Sequence, residues 1–399
     1  MWQLKKNQAG FGHVFGILFV VVVIAIVGGI GLLVLKKWKE SSGSTGQVWT
    51  TDCVGTDRVN LTHMPMDLKD VATITPYGLI AGAHVTPIDH LYFYPKEGPR
   101  DSYPVYAMAD GYIQNISIRS VQTDNGSPKK AEYRIEMQHS CQTLTYFDLI
   151  TKLDQTILDQ VKDADKKGIN GHLPIKAGQI IGWIGEQSLD TAVYNAYLAL
   201  PGFISPELYE AEPWKIHTDD FFSYFPQDMQ AQMAAKNRRK VAPLSGKIDY
   251  DQPGKLIGNW FKEGTKGYGG PKGEGPGEGD GRGYWSGHLA IFYDAIDPSK
   301  VIVSIGEFKN GQPQGFSVIG NSPDPATITK DSGIVKYELT QLPAGIMPDG
   351  SAVPQQGPVR ILGVVLFQVL EGERLKVEAF PDKTAAQVTT FSSPSMYER

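Results

Sequence analysis

Residues 104–118 read PVYAMADGYIQNISI, with polar and apolar positions alternating on either side of Asp110-Gly111. Alternation at period two marks a strand with one buried face, and Asp-Gly is a turn pair, so this stretch reads as two strands flanking a turn. The same signature continues downstream. Asn125-Gly126 is a hairpin turn signal, followed by YRIEMQ (133–138) and LTYFDLI (144–150). LDQTILDQVKDADKK (153–167) then places Leu153, Ile157, Leu158 and Val161 at helical spacing and stops before Gly168. IKAGQIIGWIGE (175–186) returns to glycine-punctuated strands. Residues 205–239 read as helical or irregular, with DDFFSYFPQDMQAQMAAKNRR the best helical region and Pro226 its break.

Toward the C-terminus a second unit, 241–399, strings together SGHLAIFYDA, KVIVSIGEF, GFSVIG, GIVKYEL, RILGVVLFQVL and RLKVEAF. Short strands at this spacing predict a β-sandwich or barrel. Inside it, residues 264–283 read GTKGYGGPKGEGPGEGDGRG. A phosphate loop would need a fixed glycine spacing and a Lys-Ser/Thr ending, and Glu274, Glu278 and Asp280 would repel an anion. The expectation is a disordered loop.

Toward the N-terminus, residues 15–35 read FGILFVVVVIAIVGGIGLLVL, without a charge between Lys6 and Lys36. A run of about 20 apolar residues matches a hydrocarbon core of about 30 Å, so one uncleaved transmembrane helix is expected after a short N-terminus, 1–14. Residues 36–74 form a linker and lead-in, which includes ESSGSTGQVWT (40–50). The Lys/Arg counts on the two flanks hardly bias orientation. Cys53 and Cys141, the only two cysteines, both lie beyond the anchor. An even pair suits one disulfide in an oxidising compartment, which favours an extracytoplasmic bulk on a single-pass membrane protein. Hydrophobic residues at 41% exclude wholesale disorder, and a formal charge of −5 argues against a nucleic-acid partner.

PVYAMADGYI, the strand ending at His139 with TLTYFDL after it, and IKAGQIIGWIG occur in an order that resembles the M23 (lysostaphin/LytM-type) zinc metallopeptidases. The resemblance covers residues 75–225 and implies, for 75–240, the antiparallel duplicated hybrid motif fold with helical insertions. It also implies a zinc held by His, Asp and His, with water in the open position. GLIAGAHVTPIDHLYFYP (78–95) stands where the family has its His-x-x-x-Asp motif. Aligned on Pro95, Thr86 and His90 take the His and Asp positions; the offset pair His84 and Asp89 is spaced one residue too far apart. The family's Tyr-x-His-Leu becomes Tyr146-Phe147-Asp148-Leu149. Its His-x-His strand becomes Asp190-Thr191-Ala192-Val193-Tyr194-Asn195-Ala196-Tyr197, without a histidine.

Two functions follow from the resemblance. The first is a catalytically degenerate M23-like domain on a membrane-anchored cell-envelope protein, without cofactor, binding a peptide, a cell-wall fragment or a partner protein as scaffold or regulator. Degenerate members of the family regulate other wall hydrolases. The second is a zinc endopeptidase with ligands relocated among His84, Asp89, His90, His139 and Asp148. A third possibility gives the functional role to the C-terminal β unit. For single residues, simpler expectations stand beside these: local hydrogen bonds for His84, Asp89 and His90, a structural bond for His139, and an exposed strand-end carboxylate for Asp148. His217-Thr218-Asp219-Asp220 reads as a helix N-cap. His63 and His172 lie in loop-like sequence.

Overall fold

Strand alternation in the middle of the chain builds two antiparallel sheets. The computed structural model describes residues 53–81, 84–121, 130–271, 285–342 and 359–399. The expected N-terminus and membrane helix, residues 36–52 of the linker and lead-in, the Asn125-Gly126 turn and residues 272–283 of the glycine-rich stretch lie outside these. Among the described residues no helix is long and apolar enough to cross a membrane.

The strands are β1 (Val71–Thr75), β2 (Leu91–Pro95), β3 (Tyr103–Tyr106), β4 (Gly111–Val121), β5 (Lys130–Gln138), β6 (Thr143–Ile150), β7 (Lys152–Leu153), β8 (Ile169–Ile175), β9 (Ile180–Ile184) and β10 (Leu189–Asn195). A seven-stranded sheet has the order β1-β2-β10-β6-β5-β4-β8, and β3-β9-β7 form a second sheet. The central strands are buried on both faces: Phe93 meets Phe221 edge to face, Phe221 lies against Phe225, and Phe147 is fully buried, whereas alternate positions carry polar groups.

The helix expected over 153–167 is two short ones. Asp154 caps α1 (Gln155–Gln160) by accepting from the Thr156 N–H, and α2 (Ala164–Lys167) ends at Gly168. Between them Asp163 adopts φ 63°, a left-handed conformation that no helix interior tolerates. Over 205–239, three 3₁₀ turns (Pro206–Tyr209, Pro213–His217, Phe221–Tyr224) precede α3 (Gln227–Lys236), which starts after Pro226 as its fixed φ favours. Asp220 stands before the third turn without a side-chain cap bond, and Thr218 instead donates to the Lys215 carbonyl, so the N-cap expectation fails.

Ahead of β1 the chain runs as a strap. Cys53 and Cys141 are disulfide-bonded. Val59 N–H then donates to Thr143 Oγ1 at 3.0 Å, the Arg58 guanidinium lies 3.7 Å over the Tyr224 ring, and Leu61 N–H donates to the Tyr224 carbonyl at 2.8 Å.

The C-terminal strands resolve the choice between sandwich and barrel. β11 (Gly258–Lys262), β12 (His288–Tyr293), β13 (Val301–Lys309), β14 (Gln312–Val318), β15 (Val335–Gln341), β16 (Gly363–Leu370), β17 (Arg374–Pro381) and β18 (Ser395–Glu398) close into an eight-stranded barrel. At eight strands the interior is just wide enough to be filled by side chains, here including Trp260, Leu289, Phe316, Tyr337 and Phe367. The Arg399 guanidinium lies 3.9 Å from the Trp260 ring and bonds the carbonyls of Ile257, Gln252 and Lys255.

The described part of the glycine-rich stretch corrects the disordered-loop expectation for 264–271. Gly267–Gly269 form a 3₁₀ turn and Tyr268 is buried. Glycine serves close approach here: Gly267 has φ 55°, and a Cβ on it would stand 2.4 Å from the Leu208 carbonyl oxygen. Sheet lobe and barrel interlock elsewhere as well. Gly202 N–H donates to Asp249 Oδ2 at 3.0 Å, and Arg239 donates to the Ala295 carbonyl at 2.7 Å.

Candidate functional site

Antiparallel register sets the site. Asp190 on β10 stands opposite Tyr92 on β2 and, on its other side, opposite Asp148 on β6. A shift in register between β5 and β6 brings Arg134 alongside. Period-two alternation therefore lays Tyr92, Asp190, Asp148 and Arg134 across one face, with His90 at the entry to β2.

Asp148 is not the exposed strand-end carboxylate expected from sequence; its side chain is 0% exposed. Its Oδ2 accepts from Arg134 Nε at 3.1 Å, from the second Arg134 nitrogen at 2.8 Å, from the Tyr146 hydroxyl at 3.0 Å, and from Arg119. Oδ1 accepts from the Leu149 N–H at 2.8 Å. Burial works against ionising Asp148, but the two guanidiniums and these bonds overcome it and hold the carboxyl below the usual range.

His90 is also buried. Its Nδ1 lies 3.5 Å from Asp89 Oδ1 and its Nε2 lies 3.4 Å from Asp190 Oδ2 and 3.2 Å from the Tyr92 hydroxyl. Burial disfavours the charged imidazole, yet the bonds to Asp190 and Asp89 raise it to about 9, so His90 is an imidazolium at neutral pH. Burial pushes the Asp190 carboxyl up and the bond to His90 pulls it back. Asp89 is held below its ordinary value despite burial, by the Lys215 ammonium 3.8 Å away and by His90. Tyr194 donates to the other oxygen of Asp89 at 3.5 Å.

The remaining sequence candidates divide. His84 comes within 6.1 Å of His90, ring to ring, and burial together with the His90 and Lys215 charges pushes it down to about 3. Thr86 is turned to the barrel, donating to the Tyr268 hydroxyl at 3.5 Å. His139 has the structural role expected of it. Its Nδ1–H donates to the Asp110 carbonyl at 2.9 Å, its Nε2 accepts from Thr145 at 2.7 Å, and burial lowers it to about 4. His63 bonds Thr62, His172 stacks edgewise on Tyr112, and His217 donates to the Leu198 carbonyl.

Zinc would need at least three donors about 2.0–2.2 Å from one point, with lone pairs free to bind it. The residues do not fit. Both nitrogens of His90 point at carboxylates, both nitrogens of His139 are bonded, and Asp148 lies under two guanidiniums. Among the described residues no group of three or more His, Cys, Asp or Glu is placed to hold a metal. The arrangement can instead hold fixed charges in a low-dielectric face, with Arg119 half exposed at its rim.

Sequence reading did not single out Asp190, Arg119, Arg134, Glu212, Lys215 or Tyr268. A signal existed for Arg134, which alternates onto the polar face of YRIEMQ. None existed for Glu212 and Lys215, which reach the site from irregular backbone.

Compared with known proteins, the chain matches no family model and no curated protein. Among solved structures it is similar to the NMR solution structure of lysostaphin, at 14% identity over 62% of this chain and 89% of that chain, with a TM-score of 0.21.

Proposed function

We propose that this chain is a non-hydrolytic, M23-like binding module of the cell envelope, tethered by its N-terminal apolar segment, with its bulk on the extracytoplasmic side. Its role is to hold a cell-wall peptide or glycan fragment, or an envelope protein, rather than to cut it. The ordered sequence pieces over 75–225 support the family comparison. One observation carries the reading of inertness. The positions that correspond to zinc-site residues hold a self-neutralised set, in which the His90 cation lies between Asp89 and Asp190 and Asp148 is matched by Arg119 and Arg134. A histidine charged at neutral pH has no lone pair to give a metal, so this set replaces the divalent charge rather than awaiting it.

The test uses the full chain in detergent, loaded with zinc, dialysed and assayed for metal, for hydrolysis of purified cell-wall sacculi and for co-sedimentation with them. The expected result is sub-stoichiometric zinc and intact sacculi that carry the protein down. Stoichiometric zinc that disappears in His84→Ala or His90→Ala, with release of wall peptides, would overturn the reading in favour of a peptidase. Intact sacculi that leave the protein in the supernatant would remove the wall and leave an envelope protein as the partner.

A further inference from the structure

An amine and a carboxyl are held together in the interior. Asp89 comes from the turn ahead of β2, and Lys215 from the second 3₁₀ turn (Pro213–His217). Both are buried, the lysine side chain being 1% exposed. Lys215 Nζ lies 3.8 Å from Asp89 Oδ1, one bond short of the carboxyl carbon. That distance exceeds a hydrogen bond, so the pair is a contact of desolvated charges, whose loss of hydration rivals their attraction. The Tyr268 ring covers the lysine, 5.3 Å from Nζ.

The surroundings of Asp89 draw electrons from its carboxyl. His90 Nδ1 lies 3.5 Å from Oδ1, and the Tyr194 hydroxyl donates to Oδ2 at 3.5 Å. Donors fixed at both oxygens stabilise the negative oxygen that forms when a nucleophile adds to the carboxyl carbon. Beside the amine stands a third buried group, Glu212. The Lys215 N–H donates to the Glu212 carbonyl at 3.1 Å, and a tight turn of this kind brings side chains three residues apart to the same side. Burial first, then the Asp89 charge, raises Glu212 to about 7 against the pull of Lys215 and Tyr268, so it exchanges a proton near neutrality.

We propose that Lys215 and Asp89 condense into an intramolecular isopeptide bond, with Glu212 relaying the protons. The Lys215 ammonium gives a proton to the Glu212 carboxylate, and the amine adds its lone pair to Asp89 Cγ. Glu212 passes that proton to one carboxyl oxygen, takes a second from the nitrogen and delivers it to the same oxygen, which leaves with the C–O electron pair as water. One C–N bond forms, one C–O bond breaks, and an ammonium and a carboxylate become a neutral amide and water. Glu212 ends as it began, and nothing is oxidised or reduced. Burial favours this direction, because two desolvated charges give way to a group that needs only hydrogen bonds. His90 keeps Asp190 as its counter-charge, 3.4 Å away. The bond ties the entry of β2 to the segment between β10 and α3, which goes beyond the proposed function and asks nothing of the groove.

Mass spectrometry of the full chain, purified in detergent, then reduced, denatured and digested with trypsin, tests it. Trypsin does not cut after an acylated lysine, and between Asp70 and Lys96, and between Ala177 and Lys236, Lys215 is the only internal Lys or Arg. The digest should therefore contain one branched peptide joining 70–96 to 177–236, lighter by one water than the two together, with fragmentation placing the branch at Asp89 and Lys215. Peptide 70–96 recovered free, with cleavage after Lys215 giving 177–215 and 216–236, overturns the proposal. Glu212→Gln tests the relay. Losing a positioned proton carrier should slow linkage by about 100-fold or more, so that 177–215 appears in the digest of the folded variant. A variant as fully linked as the wild type overturns the relay. Should Glu212→Gln fail to fold, the wild-type digest alone decides whether the bond exists.

Discussion

The His90 imidazole lies 3.4 Å from the Asp190 carboxylate, joining the entry of β2 to its neighbour β10. Removing one partner of a buried pair leaves the other charge unmatched, and here two carboxylates depend on one ring. His90→Gln should cost about 3–5 kcal/mol in urea unfolding of the full chain near neutral pH. The pH dependence has a definite direction. Because folding raises His90 from 6.5 to about 9, its contribution is complete below about 6.5 and is lost as pH climbs through about 9. His90→Gln should therefore flatten the fall in stability over that interval.

Two arginines meet Asp148, but from different surroundings. Arg134 is 29% exposed and bonds through two nitrogens, while Arg119 is 50% exposed and uses one. Solvent screens the second more, so Arg119→Ala should cost about 1 kcal/mol or less. Arg134→Ala should cost about 2–4 kcal/mol, and Asp148→Asn a comparable amount. Equal losses for the two arginines by thermal or urea unfolding would contradict this account of the row. For Asp148, whose carboxyl is held down, the stability it adds is present above the ordinary carboxylate range and lost as acid protonates it.

The Cys53–Cys141 bond closes 88 residues of sequence separation. Limiting a loop of that length in the unfolded chain is worth about 4–5 kcal/mol on the chain-entropy account, with measured losses nearer 2–5. Cys53→Ser with Cys141→Ser should lower the unfolding free energy by that amount. Limited proteolysis should then find new cleavage within residues 53–66, because the strap keeps only its few hydrogen bonds and the Arg58–Tyr224 contact.

Gly202 is a test of the interlock between lobes. A Cβ there would stand 1.9 Å from the Asp249 carbonyl oxygen, closer than any packing tolerates. Gly202→Ala should destabilise by at least about 1–3 kcal/mol, whereas Gly254→Ala, with open space around it, should show only the smaller penalty of its positive φ. Unfolding midpoints of the two variants compare them directly.

Strand placement was legible because alternation survives in single segments: YRIEMQ, LTYFDLI and barrel strands β12 to β17 fall on the runs read from sequence, whereas β11 and β18 were not read. The helix over 153–167 was over-read, since helical spacing says nothing about a left-handed Asp163 between two turns. Asp148 was misjudged for a related reason. Its strand-end position suggests solvent, and only the neighbouring strands reveal Arg119 and Arg134, which come from β4 and β5. Lys215 and Glu212 were invisible because 3₁₀ turns carry no period by which a residue's direction can be told. The glycine-rich segment misled by composition: at Gly267 the small side chain serves contact with Leu208, and Tyr268 beside it is an anchor.

The strap has a mechanical consequence. A pull applied to the chain ahead of residue 53 cannot unravel the strap from its front end, since the covalent link hands the load directly to Cys141 at the turn joining β5 and β6. Those strands lie inside the seven-stranded sheet, with β10 and β4 paired on their outer sides, so the tension meets hydrogen bonds on several strands at once. The backbone between the two sulfurs is bypassed, so β1 and β2 are spared the load, which enters the sheet at its centre instead of at its edge.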